Sequence, residues 1–500
     1  MMDWCVAIRR IAACSTAIQC ADDAFDAELK TLLGFLGHED GLVVYAAKEE
    51  LRMVLISGRI APVKDIVKAL LVPPPNAWRG EASGFQLQLL RQLVKMKNPG
   101  GSEDHGRKDG SSDDEGGQSV GHTYLQTLLK NLLQIGTLVR SVFIPAGCMT
   151  TTAPLSVQYE TLVFMSDFVK RLHSLEMAEC SQVELSEQMM AVVKDVFVTM
   201  NYGSQPTFVS CAVLGLLGDF QELVKSWMDQ TQVDEEHNID AVYSKWLEQC
   251  LVWLMQSSCM STALQLLNDK ESLNTASQEA FVAKSSPYPF LQQWLLYLSQ
   301  MGVAFIEASL TQTKRANWIT LQAPCLTAAS WIEQKLPSRQ QLFAVLAEQD
   351  DVMIEVLNGI TRMAVLVDSA GSILAQRYSS FIAHMTTEYD SDLLFADLVD
   401  TLGRDHLVLL DLLISNETQM LEYFMRYLRR LSTRWGISKR KLQTDERLEG
   451  VMSVLIRTRL EIDRLVAAEL FPYGAGPLTR RLLAIEQLYE DSGDDDAEQL

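Results

Sequence analysis

The chain has 500 residues, a formal net charge of −21 and 48% hydrophobic residues. That is more than one core needs, so two or more domains or one elongated array are open, and it is too apolar for a mostly disordered chain. The negative balance argues against broad binding to nucleic acid or anionic membrane, which needs basic surface, and leaves only local basic patches for either task.

Nine cysteines are scattered along the chain, and no pair has CxxC spacing. They read as reduced thiols of a cytosolic or nuclear protein, most of them small buried hydrophobes, and not as a disulfide framework. The first residues lack a basic start, and Arg9 and Arg10 stand where a signal peptide needs an apolar core. No uninterrupted apolar run approaches the roughly 18 residues that a membrane span requires. A soluble intracellular protein without membrane contact is expected.

Taken in chain order, residues 1–96 read as an N-terminal helical region. Val44, Ala47, Leu51, Val54 and Leu55 form a stripe at helical spacing, with Gly58 placed to end the helix. Pro73-Pro74-Pro75 breaks two helical stretches and lacks the spacing of a PxxP ligand. Residues 97–122 carry Gly, Ser, Asp, Glu and Lys with almost no hydrophobe, the composition of a disordered acidic insertion. Within it Ser111 and Ser112 each precede an acidic residue by three positions, which makes them candidate phosphosites; a plain solvated loop is the alternative.

Residues 123–404 read as a central helical array, with stripes such as Leu162, Met165, Phe168, Val169 and Leu172, then Leu291, Trp294, Leu295 and Leu298. Period-two alternation and hairpin turns are missing, so the fold class is all-α. Helices of varied length with no fixed repeat suit an irregular α-solenoid of armadillo or HEAT-like helix pairs with a C-terminal helical cap; a compact bundle is the alternative. Residues 405–490 form a distinct C-terminal block, and 491–500 an acidic, frayed tail.

No chemistry-bearing motif stands out. None of the seven histidines has another three or four residues away, and there is no phosphate loop or nucleophile elbow. The expectation is a protein that is not an enzyme and uses no cofactor or metal. One feature runs against the overall charge: Arg426, Arg429, Arg430, Arg434, Lys439, Arg440 and Lys441 fall in one short span. They read either as a docking or nuclear-import patch or as cations gathered at a helix C-terminus that Gly436 closes.

In the C-terminal block, Asn416 and Gln419 fit a capping box opening a helix with Met420, Phe424, Tyr427 and Leu431 on one face, Leu421 and Leu428 beside them. A third helix follows from about 445 to 470, with Leu448, Met452 and Leu455 inward. Phe471-Pro472-Tyr473-Gly474 makes a hinge, and Pro477 opens a last helix with Leu478, Leu482, Ile485 and Tyr489 as its stripe.

The block resembles the C-terminal region of the Lines family of segment-polarity proteins. The elements that carry this are Leu-Ile-Ser-Asn-Glu-Thr at 413–418, Leu-Glu-Tyr-Phe at 421–424, Arg426-Tyr427-Leu428, and Leu-Phe-Pro-Tyr at 470–473 with Pro477-Leu478 after it. The chain departs from the pattern at Gly474 and Thr479. The resemblance implies a non-enzymatic regulator in nucleus and cytoplasm, tied to patterning and Wnt-type signalling, whose partners are signalling or transcription proteins. An armadillo-like transport or import adaptor is the other reading. The family brings no catalytic residues to carry over.

Overall fold

The computed structural model describes residues 4–20, 25–38, 40–56, 63–72, 84–95, 120–144, 153–173, 179–199, 207–230, 286–314, 337–370, 385–415 and 417–497, with isolated positions at 175 and between 243 and 267. Among the described residues every regular element is helical and none is a strand. The chain divides into two compact units, Met1–Tyr243 and Ser244–Leu500.

The first unit contains α1 (Trp4–Cys20), α2 (Phe25–Gly34), α3 (Gly41–Ile56), α4 (Val63–Leu71), α5 (Gly84–Lys95), α6 (Val120–Lys130), α7 (Leu132–Phe143), α8 (Leu155–Leu172), α9 (Glu179–Thr199) and α10 (Thr207–Gln230). Its centre is α8, packed between α5 and α10. The predicted stripe Leu162, Met165, Phe168, Val169 and Leu172 is buried in full. Polar ties guide both contacts. Gln88 Nε2 donates to Glu160 Oε1 at 2.9 Å and Arg91 Nε to Asp167 Oδ2 at 2.6 Å on the α5 side. On the α10 side Ser166 donates to Asp219, which Lys170 also approaches at 3.2 Å.

By length and composition α10 could cross a membrane, with a mean hydropathy of 1.4 over Thr207–Trp227. Here 61% of that stretch is buried, and its Asp219 is held by α8, so it behaves as a core helix. Residues 73–83 and 96–119, with Pro73 to Pro75, His105, Ser111 and Ser112, lie outside the described residues, as does Gly58.

The second unit contains α11 (Tyr288–Lys314), α12 (Arg339–Leu346), α13 (Asp350–Ala370), α14 (Ser391–Thr401), α15 (His406–Ile414), α16 (Met420–Thr433), α17 (Trp435–Thr444), α18 (Leu448–Ala467) and α19 (Gly476–Ala497). Its longest helices, α11 and α13, pack face to face. The packing is close because each helix offers the other a glycine: Gly302 of α11 faces Met363 of α13, and Gly359 of α13 faces Ser299 of α11. Gln300 Nε2 donates to Glu355 Oε1 at 2.8 Å along the same seam. A capping box starts α12: Gln341 N donates to Ser338 Oγ and Ser338 N to Gln341 Oε1.

Several local expectations need correcting. Helix α16 starts at Met420 after Gln419, without a side-chain cap, and Gln419 instead accepts from Asn358 of α13 at 3.3 Å. Asn416 is outside the described residues. Gly436 closes nothing; it lies in the first turn of α17, and the break falls at Arg434 (φ −121°), which ends one helix and begins the next. Helix α19 extends to Ala497. Between α18 and α19 the left-handed residue is Glu469 (φ 58°), not Gly474.

Candidate functional site

The described residues concentrate their buried charge around one helix of the second unit, α14. Asp390 is its N-cap and accepts from Asp392 N at 2.9 Å and Leu393 N at 3.3 Å, meeting the unpaired amides of the first turn. Asp392 then falls in register with Phe395, Ala396 and Val399, on the face that packs inward. Its side chain is 1% exposed.

Burial of that carboxylate is tolerated because partners reach it from two other helices. Arg430 of α16, 7% exposed, places Nη1 3.3 Å from Asp392 Oδ1 and Nε 2.9 Å from Asp368 Oδ2 of α13. Ser438 of α17 donates Oγ to Asp392 Oδ2 at 2.8 Å. Lys441 reaches the capping Asp390, and Arg434 adds a second cation to Asp368. One guanidinium fork thus joins α13, α14 and α16, and a hydroxyl fastens α17 to the same carboxylate.

Aromatic packing forms the wall of this cluster. Phe395 stacks on Tyr427 with centroids 4.1 Å apart and interplanar angle 21°, and Phe424 lies 5.9 Å from the same ring. The hydroxyls of Tyr423 and Tyr427 are buried without a hydrogen-bond partner among the described residues. Burial, with Asp392 nearby, pushes both phenols upward, so they stay protonated. Burial also raises the Asp392 carboxyl above its ordinary value, against the pull of Arg430 and Ser438. For Arg430, burial works against the charge, but Asp392, Asp368 and Asp390 outweigh it and hold the guanidinium protonated.

The far end of α14 is held in the same manner. Arg447, just ahead of α18, pairs with Asp397, lies 3.4 Å from Asp400 Oδ2 and 2.9 Å from Asp445 Oδ2. Further on, Arg459 of α18 grips Glu486 of α19 through Nε at 2.6 Å and Nη2 at 3.1 Å. Tyr473 donates its hydroxyl to Ile414 O at 3.0 Å, tying the α18–α19 turn to the end of α15.

The basic run of the sequence therefore splits. Arg430, Arg434 and Lys441 are bound to carboxylates of α13 and α14, and Arg426 to Glu422 at 2.6 Å and to Asn358. Lys439 is half-buried. Arg429 and Arg440 are exposed; the guanidinium of Arg440 bonds through Nε to its own helix at Gly436 O, 3.0 Å away. What the sequence reading missed is the acidic half of the cluster, Asp368, Asp390 and Asp392. A signal for it exists, since Asp390 precedes an apolar run as an N-cap should and Asp392 shares helical spacing with Phe395 and Val399.

Chemically the arrangement is a clamp. Both oxygens of Asp392 are occupied, and its cationic partner is buried with it. No group of three or more residues able to hold a metal occurs among the described residues.

Comparison with known proteins places this clamp in context. Residues 306–437 match the family model for the Lines N-terminus, and residues 451–487 match that for the Lines C-terminus. Two segments of the chain are thus similar to the Lines family. Both Lines segments fall in the second unit. The Asp392–Arg430 pair sits inside the first and Arg459–Glu486 inside the second. Over 153 residues the chain is 32% identical to Protein lines of Drosophila melanogaster, a match covering 30% of this chain and 17% of that protein. The Lines likeness thus begins well upstream of 405, where the sequence motifs alone locate its clearest part.

Proposed function

We propose that this chain is a Lines-type developmental regulator that works as a non-enzymatic helical adaptor. In this reading it binds signalling or transcription regulators in the nucleus and cytoplasm and acts on patterning or Wnt-type signalling. Its helices pair along an irregular armadillo-like array whose outer faces carry the partners.

The observation that supports the reading is how the Lines segments spend their charge. Aspartates and arginines that could line a reactive cleft are instead paired in the helix-to-helix clamp around α14. A body fixed in this way suits presentation of a constant surface. The exposed apolar side chains Leu407 and Val408 on α15 give such a surface area to offer.

The test is affinity purification of the full-length chain from nuclear and cytosolic fractions with quantitative mass spectrometry. Reproducible recovery of signalling or transcription proteins supports the reading. Recovery of import receptors with many unrelated cargoes, or of no specific protein, overturns it.

A further inference from the structure

Between α14 and α17 lies an open pocket of about 380 Å³, lined by Leu393, Ile437, Arg440, Lys441, Thr444 and Asp445. Its size suits one or two large side chains, at the lower end of the roughly 300–1,000 Å³ range of ligand sites. The floor is carbon: Leu393, Ile437 (39% exposed) and the stems of the two cations. The polar rim is sorted by use. Lys441 is tied to Asp390, Asp445 to Arg447, and the Thr444 hydroxyl donates to Arg440 O at 2.8 Å.

Arg440 differs. Its hydrogen bond to Gly436 O uses Nε alone, and it has no carboxylate partner among the described residues. A guanidinium has five donors in a planar fork suited to carboxylates. In a chain of net charge −21, an exposed cation beside an apolar hollow is a local inversion of the general field, which repels acidic partners elsewhere.

We propose that the α14–α17 pocket docks an acidic peptide segment of a partner protein. One large apolar side chain of that segment enters over Leu393 and Ile437, and a flanking carboxylate is held by the Arg440 fork. The pocket borders the Asp390–Lys441 pair, so the clamp that fixes α14 against α17 also fixes the two walls of the site. This inference rests on the adaptor reading and gives it a specific surface and partner chemistry.

The probe is a fluorescent synthetic peptide with one tryptophan flanked by glutamates, titrated with the full-length chain at low salt and read by anisotropy. Ile437→Glu places like charge in the hollow, and Arg440→Glu removes the fork; each is expected to weaken binding about tenfold or more, a loss of about 1.4 kcal/mol. Gln443→Glu, exposed on the same helix, controls for net charge and for folding by its thermal melt. Equal binding by wild type and both variants overturns the site, as does equal binding of a peptide whose tryptophan is replaced by serine. If Ile437→Glu unfolds, Ile437→Ser with Arg440→Glu gives the same comparison. The affinity purification separates the two readings: partners of the wild-type chain that the double variant retains in full exclude this pocket and leave the adaptor standing.

Discussion

Arg430 and Asp392 face each other in the interior of the Lines segment, 3.3 Å apart, with side chains 7% and 1% exposed. A charge pair so deep stabilises only when both members stay matched, because an uncompensated buried ion costs more than the pair contributes. Arg430→Met is therefore expected to destabilise by about 3–5 kcal/mol, leaving Asp392 with Ser438 alone. Arg430→Lys should also lose stability, since a single ammonium cannot reach Asp368 and Asp392 together. The double variant Arg430→Met with Asp392→Leu should recover most of the loss. Urea unfolding of the four proteins closes the cycle, and additive effects would show that the two residues are not coupled.

Acid should act on Asp392 in an unusual direction. Burial raises its carboxyl above the ordinary 3.8, so the folded chain binds this proton more tightly than the unfolded chain does. Where the folded state holds more protons, stability rises as pH falls. The contribution of Asp392 is thus present below its unfolded value and lost as pH climbs through its folded value. Asp392→Asn cannot titrate, so the stability of wild type relative to this variant should grow as pH falls toward 3.8 and level off above the folded-state value of Asp392. The opposite slope would mean that the pull of Arg430 exceeds the cost of burial.

Three helix ends in the second unit close through left-handed residues, and each includes one that is not glycine: Arg404 (φ 58°) after Gly403, Glu446 and Glu469. Glu446 (φ 57°) follows α17 and Glu469 (φ 58°) follows α18. In each case the next amide reaches back five residues, from Arg447 N to Leu442 O and from Leu470 N to Leu465 O. After α14 the same turn includes Gly403 (φ 66°). Glu446→Gly and Glu469→Gly should each stabilise by up to about 1 kcal/mol, and Gly403→Ala, which meets no neighbour, should cost about the same through backbone strain alone. Denaturation midpoints decide this; a loss in both glutamate variants would show that the side chains contribute more than the strain costs.

How much of this could be read beforehand depends on the range of the interaction. The α16 stripe was legible because helical spacing alone selects Met420, Phe424, Tyr427 and Leu431, and all four are buried. The cations were visible as a run, but their state was not. Arg430 and Arg429 are neighbours in sequence, and one is buried while the other is exposed, because a helix turns adjacent residues to different faces. The carboxylate partners of Arg430 lie 62 and 38 residues upstream, beyond any local pattern. Gly436 misled for a related reason: glycine ends helices often, yet here Arg434 takes the break without a positive φ.

The α11–α13 seam offers a sharper test of packing, because its two glycines meet different neighbours. A Cβ on Gly359 would lie 2.8 Å from Ser299 Oγ and 3.0 Å from Ser299 Cβ, against a short side chain fixed near the backbone. A Cβ on Gly302 would meet the thioether of Met363, the far end of a flexible side chain. Alanine gains about 1 kcal/mol over glycine inside a helix, and overpacking costs about 1–3 kcal/mol where nothing can move. Gly302→Ala should then stay within about 1 kcal/mol of wild type, the propensity gain offsetting the shift of Met363. Gly359→Ala should lose about 1–2 kcal/mol, and Ser299→Gly added to it should restore part of that by opening the space. Thermal unfolding of the three variants measures the order, and equal stability of Gly302→Ala and Gly359→Ala would mean that the seam is looser than these distances imply.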